Sequence, residues 1–243
     1  MLKIFRNIRK QLLGEGKKVQ YLKYAIGEIV LVVIGILIAL SINNWNQEKT
    51  NRSEELNYYK NIKRQLKEDK GGISGNVHYN NNYLRQYQYA LNIIEKNDRS
   101  EIDSLVMITV NLLKYSDFHR QSNIYETMVN SGEIKLLKNQ QIIEKLQRLE
   151  ETYIYMNKLE NTHTEAVSSL IVPEIISMIK VFNMKIENIE KLYSFEIQNA
   201  FVLISNLMIE KNEIYQRGLD EIKSLNNLID DELGIEELKE KEE

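Results

Sequence analysis

The chain contains no cysteine. That removes disulfides, thiolate metal sites, iron–sulfur clusters and cysteine nucleophiles together. It has one proline, Pro173, and only ten glycines in 243 residues. A chain this short of both has few obligatory turns and favours long helices. A Gly-rich phosphate loop, a nucleophile elbow and a His-Glu-x-x-His motif are also missing from the sequence, so no familiar catalytic motif points to an enzyme. No βαβ pattern and no period-two alternation is readable.

Net positive charge is confined to the start of the chain. Residues 1–24 carry seven Lys/Arg against one acid, Glu15. From Asn43 onward there are 25 basic and 33 acidic residues. A large domain that tracked nucleic acid would show the opposite balance, so nucleic acid is not an expected partner.

What the sequence does have is one long apolar run. Ala25–Ile42 reads AIGEIVLVVIGILIALSI, with Glu28 as its single charge. A bilayer-spanning helix needs about 20 mostly apolar residues. Tyr21, Tyr24 and Trp45 flank the run where interfacial aromatics belong. A cleaved signal peptide is the alternative, with small residues around Ala39-Leu40-Ser41. The long basic region before the run, and its unbroken passage into Asn43-Asn44-Trp45, argue against cleavage. A short basic tail resists translocation while a long domain crosses. The N-terminus is therefore read as cytoplasmic and the large domain as extracytoplasmic. Within 1–13, Met1, Phe5, Ile8 and Leu12 share one helical face and Lys3, Arg6 and Lys10 another, a pattern suited to an anionic leaflet.

Glu28, Gly35, Ala39 and Asn43 fall along one face of the span. Small residues four apart let helices approach closely, and an intramembrane acid usually faces protein or water. Two readings stand side by side. Either this face is a membrane-helix interface containing Glu28, or the span starts at Ile29 and Glu28 lies among the headgroups.

The remainder predicts an all-α fold, an elongated antiparallel helical bundle. Residues 47–70 form a helix with Leu56, Tyr59, Ile62 and Leu66 on one stripe. Gly71, Gly72 and Gly75 are expected to break it. A second helix over 77–96 starts weakly at Asn80-Asn81-Asn82, and a third covers 101–115. A loop over 116–122 leads to a short helix, Ile124–Ser131, ended by Gly132. Two heptad rows then interleave, one at Ile142, Leu149, Met156, His163 and Leu170, the other at Leu146, Tyr153, Glu160 and Val167. Pro173 kinks or ends that helix. After a connector around 183–194, a last helix runs 195–233 with Phe201, Met208, Tyr215, Ile222 and Ile229 in a strict seven. Ile197, Ile204 and Leu225 fill the companion row, which Lys211 and Gly218 interrupt. The chain thus divides into a basic cytoplasmic amphipathic segment (1–20), a transmembrane helix (21–45), an extracytoplasmic bundle (46–234) and an acidic tail (235–243).

Glu160 and His163 form a Glu-x-x-His, the spacing by which di-iron bundles aim ligands inward. Such sites need two of these pairs and two more glutamates, and here there is one pair. The preferred reading is a polar notch in the heptad core that fixes register, with Lys211 and Gly218 possible partners from the last helix. His163 is also a pH-sensing candidate by residue type. No metal or other cofactor is expected. Tyr125, Glu126 and Gly132 are the best candidates for a functional surface. The plainer reading is that Glu126 and Gly132 only shape a tight helix end.

Two blocks carry a resemblance. Tyr21–Asn46 has an Ile-Gly-Glu-Ile start to the span and an Ile-Asn-Asn-Trp exit. Ile124–Asn139 reads IYETMVNSGEIKLLKN. Together they resemble an uncharacterised bacterial family of single-pass membrane proteins, common in the Bacteroidetes lineage. The resemblance implies one span in the inner membrane and a helical periplasmic domain. It implies no catalytic residue. The glycines and asparagines of 71–82 depart from what looks like a more continuous helix in that family. The partners expected are the lipid bilayer and either a second copy of the chain or another membrane protein. An envelope scaffold fits best. A ligand-sensing bundle that signals through a partner is the alternative, and a metal-dependent enzyme has the least support.

Overall fold

The computed structural model describes residues 18–120 and 123–234. The basic stripe of 1–13 and the acidic tail fall outside the described residues. Two compact units are present, residues 1–54 and 55–243.

In the first unit the described chain is the leading part of helix α1 (Lys18–Glu95). Its apolar stretch Ala25–Ile42 is built of β-branched and leucine side chains, and none of it is buried within the protein. Gly35, Ala39 and Asn43 are exposed and Glu28 is half-buried.

The second unit is the elongated all-α bundle. After α1 come a short 3₁₀ turn, α2 (Ile102–Val110), a second 3₁₀ turn, and α3 (Ile124–Ser131). Helix α4 (Gln140–Ala166) passes through a π turn (Val167–Ile171) into α5 (Val172–Met178). A minimal hairpin, β1 (Ile179–Lys180) and β2 (Lys185–Ile186), leads to α6 (Ile189–Leu192) and α7 (Phe195–Leu233). The hairpin pairs antiparallel, Ile179 with Ile186 and Lys180 with Lys185. Strands of two residues leave no alternation to read in a sequence. Helix α7 starts and ends at the bounds expected from the sequence, Phe195 and Leu233, and Gly234 closes it at φ 64°.

Helix directions follow from the contacts. Asp69 meets Tyr153 and Glu55 meets Lys138, so α1 and α4 run parallel. Asn76 meets Tyr215 and Lys63 pairs with Asp230, so α7 runs antiparallel to α1. Lys211 meets His163 and Asn139 meets Glu232, which sets α7 antiparallel to α4 as well.

The glycines do not break α1. The helix runs through Gly71, Gly72 and Gly75 without interruption. Each glycine weakens a helix by about 1 kcal/mol relative to alanine. Burial of Leu66 and Ile73 and an unbroken hydrogen-bond ladder outweigh that. A Cβ at Gly71 or Gly75 would meet nothing within 4 Å, whereas one at Gly72 would stand 3.2 Å from the Phe118 ring. Gly72 therefore gives Phe118 its close seat.

Pro173 does not end the helical path. It lies in the first turn of α5, immediately after the π turn. Proline cannot donate to the residue four back and its ring crowds that carbonyl. Widening the preceding turn accommodates both effects. The extra residue of the π turn also advances the helix phase by one. Leu170, the last member of its heptad row, is consequently 53% exposed, while Ile171, Ile175 and Met178 are buried.

The core lies in two apolar clusters. One gathers Tyr59, Leu66, Met128, Ile142, Tyr153 and Ile222 near the start of the unit. The other gathers Tyr87, Ile93, Leu112, Ile175, Met178 and Phe201 toward its far end. Polar residues separate them on each long helix: Asn80 on α1, Glu160 and His163 on α4, and Lys211 on α7, all buried.

Candidate functional site

Heptad spacing puts Glu160 and His163 one turn apart on the inner face of α4. The same spacing puts Lys211 and Tyr215 one turn apart on α7. The segment after α2, residues 114–120, crosses over them. Oε1 of Glu160 accepts from the Phe118 backbone N–H at 2.9 Å and from the Tyr215 hydroxyl. Lys211 Nζ donates to the Ser116 carbonyl at 2.6 Å and lies 3.5 Å from His163 Nδ1. Asn76 from α1 reaches the Tyr215 hydroxyl at 3.5 Å. The Tyr115 ring packs 5.9 Å from the imidazole. Next to this layer, Asn80 donates to Asn212 and Asn212 donates to Asn81, each at 2.9 Å. The asparagine run of α1 thus supplies cross-helix pairing where its propensity predicted a weak helix start.

Burial sets the electrostatics. It pushes the Glu160 carboxyl up to about 7, against the Tyr215 hydrogen bond, the Lys211 charge and the Phe118 N–H, which all favour the carboxylate; Asp117 adds a further upward push. Burial pulls Lys211 down to about 8, opposed by Glu160 and Asp117. Burial and the Lys211 charge hold His163 down at about 3, so it stays neutral across the physiological range. This corrects the pH-sensor expectation for His163: a histidine buried beside a lysine cannot charge near pH 6. When Lys211 donates to Nδ1, the imidazole proton sits on Nε2. Among the described residues, no protein partner reaches the buried Nε2 of His163 or Oε2 of Glu160.

Among the described residues no three His, Asp or Glu side chains converge as a metal set. His163 Nδ1 faces the lysine ammonium of Lys211 at 3.5 Å. The polar notch therefore has the composition of a latch. A carboxylate from α4 and an ammonium from α7 each grip the backbone of 114–120.

A second network holds the other side of that segment. Arg120 forks onto Glu150 at 2.6 and 2.7 Å and lies 4.6 Å over the Tyr153 ring. The Tyr153 hydroxyl donates to buried Asp69 at 2.9 Å, as does Gln65 Nε2 at 3.2 Å. Burial raises the Asp69 carboxyl, and these two donors and Arg120 oppose it. Gln65 Oε1 then takes the Ile124 N–H at 2.9 Å. Asp69, Arg120 and Glu150 escaped the sequence reading. The one legible signal was Asp69, an acid at an inward position between Leu66 and Ile73.

The expected surface at Tyr125, Glu126 and Gly132 resolves into separate roles. Asn123 caps α3 by accepting the Glu126 N–H at 3.0 Å, and its amide returns to Glu126 Oε2 at 3.0 Å. Gly132 ends α3 at φ 76°, a conformation that favours glycine. Tyr125 lines a small void with Ile62, Leu146 and Leu149. Glu126 stands on the rim of a polar cleft of about 400 Å³ with Phe118, His119, Arg120, Asn123 and Asn157. Glu28, Gly35, Ala39 and Asn43 belong to the other unit, and a Cβ at Gly35 would meet nothing within 4 Å.

A search of curated proteins and a search of solved structures each return no match. The model of a family of unknown function, DUF6090, matches residues 28–171. The match takes in Glu28, Asp69, Arg120, Glu150, Glu160 and His163, and stops before α7 with Lys211 and Tyr215. It spans more than half of the 243 residues, and the chain belongs to this family of unknown function.

Proposed function

We propose that the protein is a membrane-anchored assembly component, with helix 25–42 in the inner membrane, the N-terminus cytoplasmic and the bundle periplasmic. The carrying observation is the apolar run of α1: eighteen residues long enough to cross a bilayer, none of them buried within the protein. Exposed apolar area of that size in water is strongly unfavourable, at about 25 cal/mol per Å², and lipid removes the penalty. Gly35 and Ala39 on the face of Glu28 and Asn43 allow a second helix to approach closely. That favours a scaffolding role through self-association or a membrane partner.

Two experiments test this. The chain has no native cysteine, so a single introduced cysteine reports topology without background. Ser53→Cys should label with an impermeant maleimide in cells with a permeabilised outer membrane, and Asn7→Cys should not. The reverse pattern would overturn the orientation. In-cell cross-linking with mass spectrometry, comparing wild type with Glu28→Leu, tests assembly. A self-cross-link or partner lost in the variant is expected. Cross-links unchanged by the substitution would remove Glu28 from the interface.

A further inference from the structure

The far end of the bundle is unlike the rest of its surface. Arg99, just past α1, forks onto Glu190 at 3.1 and 3.0 Å. The Tyr193 hydroxyl donates to the Asp98 carbonyl at 2.7 Å. Lys191 ties α6 back to α5 through Ser177 at 2.7 Å and Glu174 at 2.8 Å. The hairpin β1–β2 is thereby fixed at the end of the unit where α1 finishes, away from Glu55. Among the described residues of the bundle, the three most exposed large apolar side chains all belong to this end: Phe182 at 94%, and Ile176 and Phe195 at 67% each.

The turn is built to present Phe182. Asn183 Oδ1 accepts the Lys185 N–H at 3.2 Å, and Met184 takes a left-handed φ of 57°, a conformation unfavourable by about 1 kcal/mol for a non-glycine residue. The apex residues Val181 and Phe182 are both exposed. Lys180 and Lys185, cross-strand partners, bracket them. Both lysines lean on Glu187, at 2.7 and 3.8 Å, which lies just behind the strands. Their side chains remain more than half exposed, so the ammonium groups can take further anionic partners.

We propose that this tip docks on an anionic lipid surface, Phe182 and Val181 entering the acyl boundary and Lys180 and Lys185 meeting headgroup phosphates. An apolar apex ringed by lysines is the arrangement that interfacial binding uses. The charge also selects the occupant. A second copy docking tip to tip would set two lysine pairs against each other, whereas anionic headgroups gain from both. The contact extends the anchored reading by giving the chain a second lipid contact besides its span.

The test uses the full chain reconstituted into nanodiscs of phosphatidylcholine and mixed with dye-labelled vesicles, either phosphatidylcholine alone or with phosphatidylglycerol. Wild-type discs should float with the anionic vesicles, and empty discs should not. Phe182→Ser, at a side chain that is almost fully exposed, should lower the captured fraction about tenfold. Lys180→Glu with Lys185→Glu should lower it by a similar factor, and added salt should weaken wild-type capture. No capture by wild type, capture equal in Phe182→Ser, or pairing of discs with one another in place of vesicles would overturn the proposal. A chain that stayed out of the discs would overturn the anchored reading instead. The same flotation assay on that free chain would still read the tip.

Discussion

Lys211 on α7 places its ammonium 3.5 Å from Nδ1 of His163 on α4 and 2.6 Å from the Ser116 carbonyl. This lysine therefore sits where both long helices and the 114–120 segment meet. Among the described residues of this layer, Glu160 is the carboxylate that is itself buried. Removing the lysine leaves that acid without its cation.

Lys211→Met should destabilise the bundle by about 1–3 kcal/mol near pH 7.5, because the buried Ser116 carbonyl loses its donor and Glu160 loses a nearby positive charge. Adding Glu160→Gln should restore part of the loss. Denaturant unfolding of the purified chain, followed by circular dichroism, measures both. Additive losses in the double variant would show that the two groups do not interact.

The layer also predicts how stability depends on pH. Glu160 has a folded pKa raised from about 4.5 to about 7. Its contribution is full below the unfolded value and is lost as pH rises through about 7. His163 is depressed to about 3, so its contribution is full above about 6.5 and falls away toward pH 3. Between pH 4.5 and 6.5 the two oppose each other. Glu160→Gln removes one of them. The melting temperature of wild type relative to Glu160→Gln should fall as pH rises from 4.5 to 7 and then level off. A flat difference across that window would refute the assignment.

Arg120 combines a two-bond fork to Glu150 with stacking on Tyr153. Lysine keeps the charge and loses both features. Arg120→Lys should lower stability by about 1–2 kcal/mol and speed amide exchange at Phe118 and Ile124, whose N–H groups bond to Glu160 and Gln65. Unchanged exchange at those two amides would mean the 114–120 segment is held without the arginine.

Glycines on this chain should respond with opposite signs. Gly71 and Gly75 are helical with open space at the Cβ position, so alanine there should stabilise by about 0.5–1 kcal/mol each. Gly132 sits at φ 76°, and alanine there should destabilise by about 1–2 kcal/mol. Thermal melts of the three variants decide this. A stabilised Gly132→Ala would contradict the left-handed cap.

Where side-chain periodicity decides the outcome, the sequence was sufficient. The bounds of α3 and α7, the inward rows of both heptads up to Val167, and the burial of Glu160 and His163 all follow from residue spacing. An apolar face has only one stable direction to turn. The apolar run of 25–42 and the absence of thiol chemistry belong to the same class, because composition alone fixes them.

Tertiary structure decided the rest, through contacts between residues far apart in the chain. Gly71, Gly72 and Gly75 read as a break because local propensity is all that a local window contains. Burial of Leu66 and Ile73 against distant helices overrides it. Leu170 was lost to the surface because a π turn before Pro173 shifted the phase, and a heptad count cannot register an extra residue in a turn. The grip of Glu160 and Lys211 on residues 116–118 joins three segments whose meeting no spacing encodes. The sequence determined which residues turn inward, and packing between helices determined which of them meet.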